Sequence, residues 1–126
     1  MNLKDMHSFS MKWIEKYMYA DSTESDMEEG FSEDCFALGF EMDAGNAFKQ
    51  QYGEEAFSRW EDLEKVINKI NDHELLGSAI LSRWRYITHW SQEDLLSADN
   101  RHWFIIALSR LKALTEEDKH DKASET

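Results

Sequence analysis

The chain has 126 residues, a usual length for one domain, and its formal charge of −12 repels nucleic-acid phosphates and anionic membranes, so neither direct nucleic-acid binding nor membrane attachment is expected. Apolar residues make up 41% of it, including 5 Trp and 7 Phe, which is enough to fill a core, and no apolar run approaches the roughly 18 residues needed to span a bilayer. A lone cysteine, Cys35, excludes an intramolecular disulfide framework, and residues 1–16 lack the pattern of a secretion signal, so the expected location is cytoplasmic.

Proline is absent and glycine occurs at five positions, too little punctuation for the many turns of an all-β chain. The expected class is all-α: a compact bundle of about five helices over 1–115, followed by a disordered charged tail over 116–126. Leu3, Met6, Phe9, Trp13, Ile14, Tyr17 and Met18 recur at helical spacing and predict a first helix over 3–20. A polar, acidic connection with one helical turn after Ser25 follows, closed by Gly30. Ser32 is the expected N-cap of a second helix carrying Cys35, Phe36, Leu38, Phe40, Met42, Ala44, Ala47 and Phe48. Gly39 and Gly45 would each cost about 1 kcal/mol inside it, so it is kinked, broken in two, or closely packed at those points.

A third helix over 54–70 presents Ala56, Trp60, Leu63, Val66, Ile67 and Ile70 on one stripe. Asp72 is the expected cap of a fourth over 73–90, and Ser91 with Asp94 resembles a capping box ahead of a short turn through Leu95 and Leu96. Trp103, Phe104, Ala107, Leu108, Leu111 and Leu114 share one side of the last helix, while Ile105, Ile106 and Ala113 extend its apolar character almost all round, as for a central element.

The strongest functional signal is charge asymmetry. Between Lys16 and Lys49 there is no Lys or Arg, while Asp21, Glu24, Asp26, Glu28, Glu29, Glu33, Asp34, Glu41 and Asp43 all fall there. Such a stretch reads either as a footprint that steers a basic protein partner or as a solvated face that keeps the chain soluble. Calcium is not expected, because the alternating oxygen ligands, central glycine and terminal glutamate of an EF-hand loop are missing from it.

On a helical wheel of residues 73–90, Arg83 falls at the centre of an apolar half-circle made by Leu75, Leu76, Ala79, Ile80, Trp84, Tyr86, Ile87 and Trp90. A guanidinium there requires an acceptor, and Asp43 or Glu41 are the expected partners, in a structural ion pair or as part of an anion site. Ser78, Ser82, Arg85 and His89 line the opposite face, read as a solvent face or an acid–base strip. The histidines form no HxxxH or HExxH pair, Cys35 lies among core residues, and phosphate-binding glycine loops are absent, so no metal and no cofactor is expected.

Glu54, Glu55, Glu61, Asp62 and Glu64 resemble in outline the metal-binding carboxylates of helical nucleotide pyrophosphohydrolases. The paired EExxE and ExxD motifs of that family are not reproduced, and the same acids serve as a helix start and a polar face. Three functions are therefore expected in order: a non-catalytic protein of the immunity, antitoxin or inhibitor kind; a small-molecule or metal-dependent enzyme using Arg83 with Asp43 or Glu41; and an oligomerisation or scaffolding module using the Trp-rich helices around Trp84, Trp90 and Trp103. The sequence leaves the oligomeric state open.

Overall fold

The computed structural model describes residues 3–91 and 93–125, with side chains through Glu116. Eight α-helices occur among the described residues: α1 (Leu3–Met18), α2 (Glu24–Glu28), α3 (Phe31–Ala37), α4 (Gly45–Tyr52), α5 (Glu54–Ser58), α6 (Trp60–Val66), α7 (His73–Arg85) and α8 (Ala98–Glu125). Short 3-10 turns cover Met42–Ala44 and Ile67–Lys69, and a π-turn covers Tyr86–Trp90. No strand occurs among these residues, and the class is all-α with the helices packed as a bundle. Over the stretch 116–126 expected as a disordered tail, the backbone is described through Glu125 as part of α8, while the side chains beyond Glu116 and residue Thr126 lie outside the described residues.

Three long helices form the frame. The apolar stripe of α1 buries Met6, Trp13 and Tyr17 completely, each stabilising by roughly 1.5–3 kcal/mol relative to exposure. That stripe faces α8, and the pair is antiparallel: His7 meets Thr115 through Nδ1 and Oγ1 (3.1 Å), while Arg101 donates to the Tyr17 carbonyl (3.2 Å). The third long helix, α7, starts on Asp72, whose Oδ1 accepts from the backbone N–H of Glu74 and Leu75 (3.1 Å each), as its residue type predicts. Every residue from Leu76 to Trp84 is buried, so α7 is enclosed on all sides by α8, α4, α3 and the 42–44 turn.

The predicted second helix is broken, and the local reason is visible. At the end of α3, Gly39 adopts φ 83°, its N–H donates to the Phe36 carbonyl (3.0 Å), and the Phe40 N–H donates to the Cys35 carbonyl (3.1 Å). This is a Schellman stop, with buried Cys35 and Phe40 supplying its usual apolar contact. Phe40 then lies on α7 at Gly77, where an added Cβ would overlap the ring. Helix α3 starts two residues earlier than predicted, with Gly30 in the cap position (φ 84°), leaving Ser32 inside it.

The predicted third helix is also interrupted, at Arg59, which is extended (φ −131°, ψ 131°). Carbonyls that a continuous helix would satisfy are taken by buried side chains: Trp103 Nε1 donates to Ala56 (3.0 Å) and Arg83 Nη2 to Ser58 (3.3 Å). The same device recurs at two other stops. Trp84 Nε1 donates to Met27 (3.2 Å) at the end of α2, and Arg110 Nε donates to Ile70 (3.0 Å) past the 67–69 turn. Residue 91 and residues 93–97 carry side-chain-capped turns rather than the predicted capping box and helical turn. Ser91 Oγ accepts from Glu93 N–H, Asp94 Oδ1 from Leu96 N–H, and Ser97 Oγ from Asn100 N–H as the N-cap of α8.

Candidate functional site

Arg83 occupies the interior where α5, α7 and α8 meet, with 4% of its surface exposed. Besides the Ser58 carbonyl, Nη2 donates to Asn100 Oδ1 (3.2 Å), and the Asn100 amide in turn donates to the Asp94 carbonyl (2.8 Å). The rings of Phe57, Tyr86 and Trp103 lie 5.8–6.0 Å from the guanidinium carbon. Its carboxylate is Glu93 (3.6 Å), at the start of the 93–97 turns, not the expected Asp43 or Glu41. Those two belong to the 40–44 segment, which reaches α7 on another side: the Glu41 N–H donates to Ser78 Oγ (2.9 Å), and Ser82 Oγ donates to the Met42 carbonyl. Burial lowers the Arg83 pKa, opposed by the charge of Glu93 and then by Tyr86.

This geometry corrects two expectations. Ser78 and Ser82 are neither a solvent face nor an acid–base strip; they are buried, and they pin the 41–42 backbone to α7. Arg83 is sealed, so the groups assigned to an enzyme built on Arg83 with Asp43 or Glu41 do not converge on one opening. Cys35 is buried too, and burial pushes its thiol far up, away from the thiolate a nucleophile needs. Among the described residues no group of three His, Cys, Asp or Glu is arranged to hold a metal ion, and no helix is long and apolar enough to cross a membrane.

The acidic stretch divides into structural and free carboxylates. Asp26 closes a capping box with Thr23 at the start of α2, and the Thr23 N–H (2.9 Å) holds its carboxyl below the usual range. Asp34 accepts from Lys12 Nζ (2.8 Å) and Trp13 Nε1 (2.9 Å), tying α3 to α1. Asp21, Glu24, Glu28, Glu29 and Glu33 are exposed. Two of these face acids the sequence reading did not group with them. Glu24, Glu28, Glu93 and Asp94 line one groove of about 310 Å³ together with Ile87, Thr88, Ser91 and Leu95. A hydrogen bond that the protonated Glu24 carboxyl donates to Asp94, then the Asp94 charge, raises the pKa of Glu24.

A second opening lies beside the same π-turn. Met42, Asp43, Lys49, Phe57, Ser82, Arg85, Tyr86 and Trp90 line a cleft of about 420 Å³. Trp90 is 74% exposed and Tyr86 45%, whereas Trp13, Trp84 and Trp103 are buried and Trp60 stacks on His102 (4.0 Å between ring centroids). The tryptophans thus separate into core members and one exposed ring.

No family model matches the chain, and no curated protein or solved structure is similar to it.

Proposed function

We propose that this chain is a non-catalytic binding protein whose acidic face meets a basic protein partner, in the manner of an immunity protein, antitoxin or inhibitor. The observation that carries the reading is the groove in which Glu24, Glu28, Glu93 and Asp94 converge without a lysine or arginine among its lining residues. Glu24 shares a hydrogen bond with Asp94 and feels its charge, both of which raise its pKa, and a partner's guanidinium or ammonium relieves the repulsion among these acids on arrival. The interior reinforces the bias. Arg101 and Arg110 spend donors on the carbonyls of Tyr17 and Ile70, so these cations are turned inward, and Arg83 reaches only Glu93 of the four acids, from behind the groove. Exposed Asp21, Glu29 and Glu33 extend the field around the groove and would raise the encounter rate with a cationic surface.

The test is capture from native lysate at two salt concentrations, using the wild-type chain and an E24Q/E28Q/D94N variant. A partner retained by the wild type at low salt, released at high salt and lost from the variant supports the reading. Retention that ignores both salt and the three substitutions, or the absence of any retained protein, overturns it.

A further inference from the structure

The cleft beside the π-turn has the opposite chemistry to the acidic groove. Arg85 and Lys49 both line it, and neither has a carboxylate within 4 Å among the described residues, in a chain where Asp and Glu outnumber Lys and Arg by 26 to 14. The Arg85 Nη1 donates to the thioether sulfur of Met42, among the weakest acceptors a protein offers, and Lys49 Nζ stands 4.9 Å above the Phe57 ring. A third cation lies behind this wall: the Arg83 guanidinium is 6.0 Å from the Phe57 ring and 5.8 Å from Tyr86. The remaining wall is aromatic. Tyr86 and Trp90, four residues apart on the π-turn, keep large ring surfaces in water at the mouth of the cleft. Helical bulges of this type are frequent at functional sites.

We propose that this cleft binds a small planar anion, an aromatic or heteroaromatic ring carrying one carboxylate or phosphate. The ring would stack between the exposed faces of Tyr86 and Trp90, and the anionic group would draw Arg85 off the Met42 sulfur and Lys49 off the Phe57 face into charge-assisted hydrogen bonds. Its volume of about 420 Å³ lies in the range of small-molecule sites. Asp43, the single carboxylate in the lining, disfavours ligands with several negative groups and offers an acceptor to a ring N–H or O–H. This site is independent of the acidic groove and of the basic partner proposed for it.

The experiment is titration of the full chain, followed by amide chemical shifts, with naphthoate and adenosine monophosphate as charged rings. Naphthalene methanol and adenosine serve as neutral counterparts, and inorganic phosphate as the bare anion. At least one charged ring is expected to saturate in the millimolar range or tighter, about tenfold better than its neutral counterpart and than phosphate, with the shifts centred on residues 42–49 and 85–90. Arg85→Gln and Lys49→Gln should each weaken that binding about fivefold or more, and Trp90→Ala, at a position too exposed to affect folding, should do the same. Failure of both charged rings to saturate overturns the proposal. So does equal binding of phosphate or the neutral rings, or affinity unchanged in all three variants.

Discussion

Two consecutive stretches of one helical run behave in opposite ways. From Leu76 to Trp84, α7 is enclosed, and even its polar side chains are consumed: Ser78 and Ser82 hold the 41–42 backbone, and Arg83 holds Ser58, Asn100 and Glu93. From Tyr86 to Trp90 the run widens into a π-turn and its residues divide between two openings, Ile87 and Thr88 on the acidic groove and Tyr86 and Trp90 on the cationic cleft. Arg83 and Arg85 are the sharpest case. Two residues apart, one is part of the scaffold and the other meets a cleft. Burial against Ser58, Asn100 and Glu93 converts a charge into structure even though the Arg83 Nε stays without a hydrogen bond, while the same charge left with a thioether is available to a ligand.

The contrast breaks most easily at Arg83. Arg83→Ala should destabilise the fold by about 3–5 kcal/mol in chemical denaturation, since it empties an interior site and strands the Ser58 carbonyl and the Asn100 amide. A loss below about 1 kcal/mol would show that the arginine is not integral to the core. Gly77→Ala should cost about 1–3 kcal/mol through its clash with Phe40, with the near-ultraviolet signal of the aromatic core changing alongside. Tyr17→Phe tests the interior from the other direction. The buried Tyr17 hydroxyl has no hydrogen-bond partner among the described residues, so removing it should stabilise by about 1 kcal/mol and raise the melting temperature. Arg85→Gln, by contrast, should leave stability within about 0.5 kcal/mol of wild type.

The smallest effect is a pH-dependent one, and it separates two acids of α2. The Glu24 carboxyl sits above its ordinary value of 4.5, so the folded state holds that proton more tightly than the unfolded chain, and this stabilising contribution is lost as pH rises through the folded pKa. Relative to wild type, Glu24→Gln should therefore gain stability from pH 4.5 toward neutrality. Asp26 is held below its ordinary 3.8, so its contribution is present above that value and is lost as pH falls through the folded pKa. Asp26→Asn should accordingly lose stability relative to wild type near neutrality and approach it in acid. Melting curves of both variants across that range give the comparison directly.

What could be read from the sequence follows from how local each cause is. The frame of α1, α7 and α8 was legible because an apolar stripe at 3.6-residue spacing and the Asp72 cap are local signals, and the break near Gly39 was legible because glycine alone tolerates its backbone. The break at Arg59 was not, since the donors that make it tolerable, Arg83 and Trp103, lie tens of residues away. For the same reason a wheel placed Arg83 on an apolar face yet gave no route to its partner. Glu93 lies beside the turns at 93–97, which Asn100 ties to Arg83 by bonding both Arg83 and Asp94. The acidic groove was half legible: Glu24 and Glu28 belong to the lysine-free stretch, but Glu93 and Asp94 join them only through folding. The cationic cleft could not be read at all, because Lys49, Phe57 and Arg85 come from three different helices.

The antiparallel seam between α1 and α8 has a consequence for how the molecule is made. The His7–Thr115 contact joins residues 108 positions apart, and Tyr17 stacks on Phe104, so the α8 side of the α1 stripe stays uncovered until the last helix is made, although Phe31 and Phe40 already meet Phe9 and Phe31 meets Trp13. Closing so long a loop carries an entropic cost, and non-local contacts of this kind slow folding. Until the seam closes, the nascent chain carries an apolar stripe bare on its α8 side next to an acid-rich stretch, and the charge that follows α1 keeps the unfinished molecules apart.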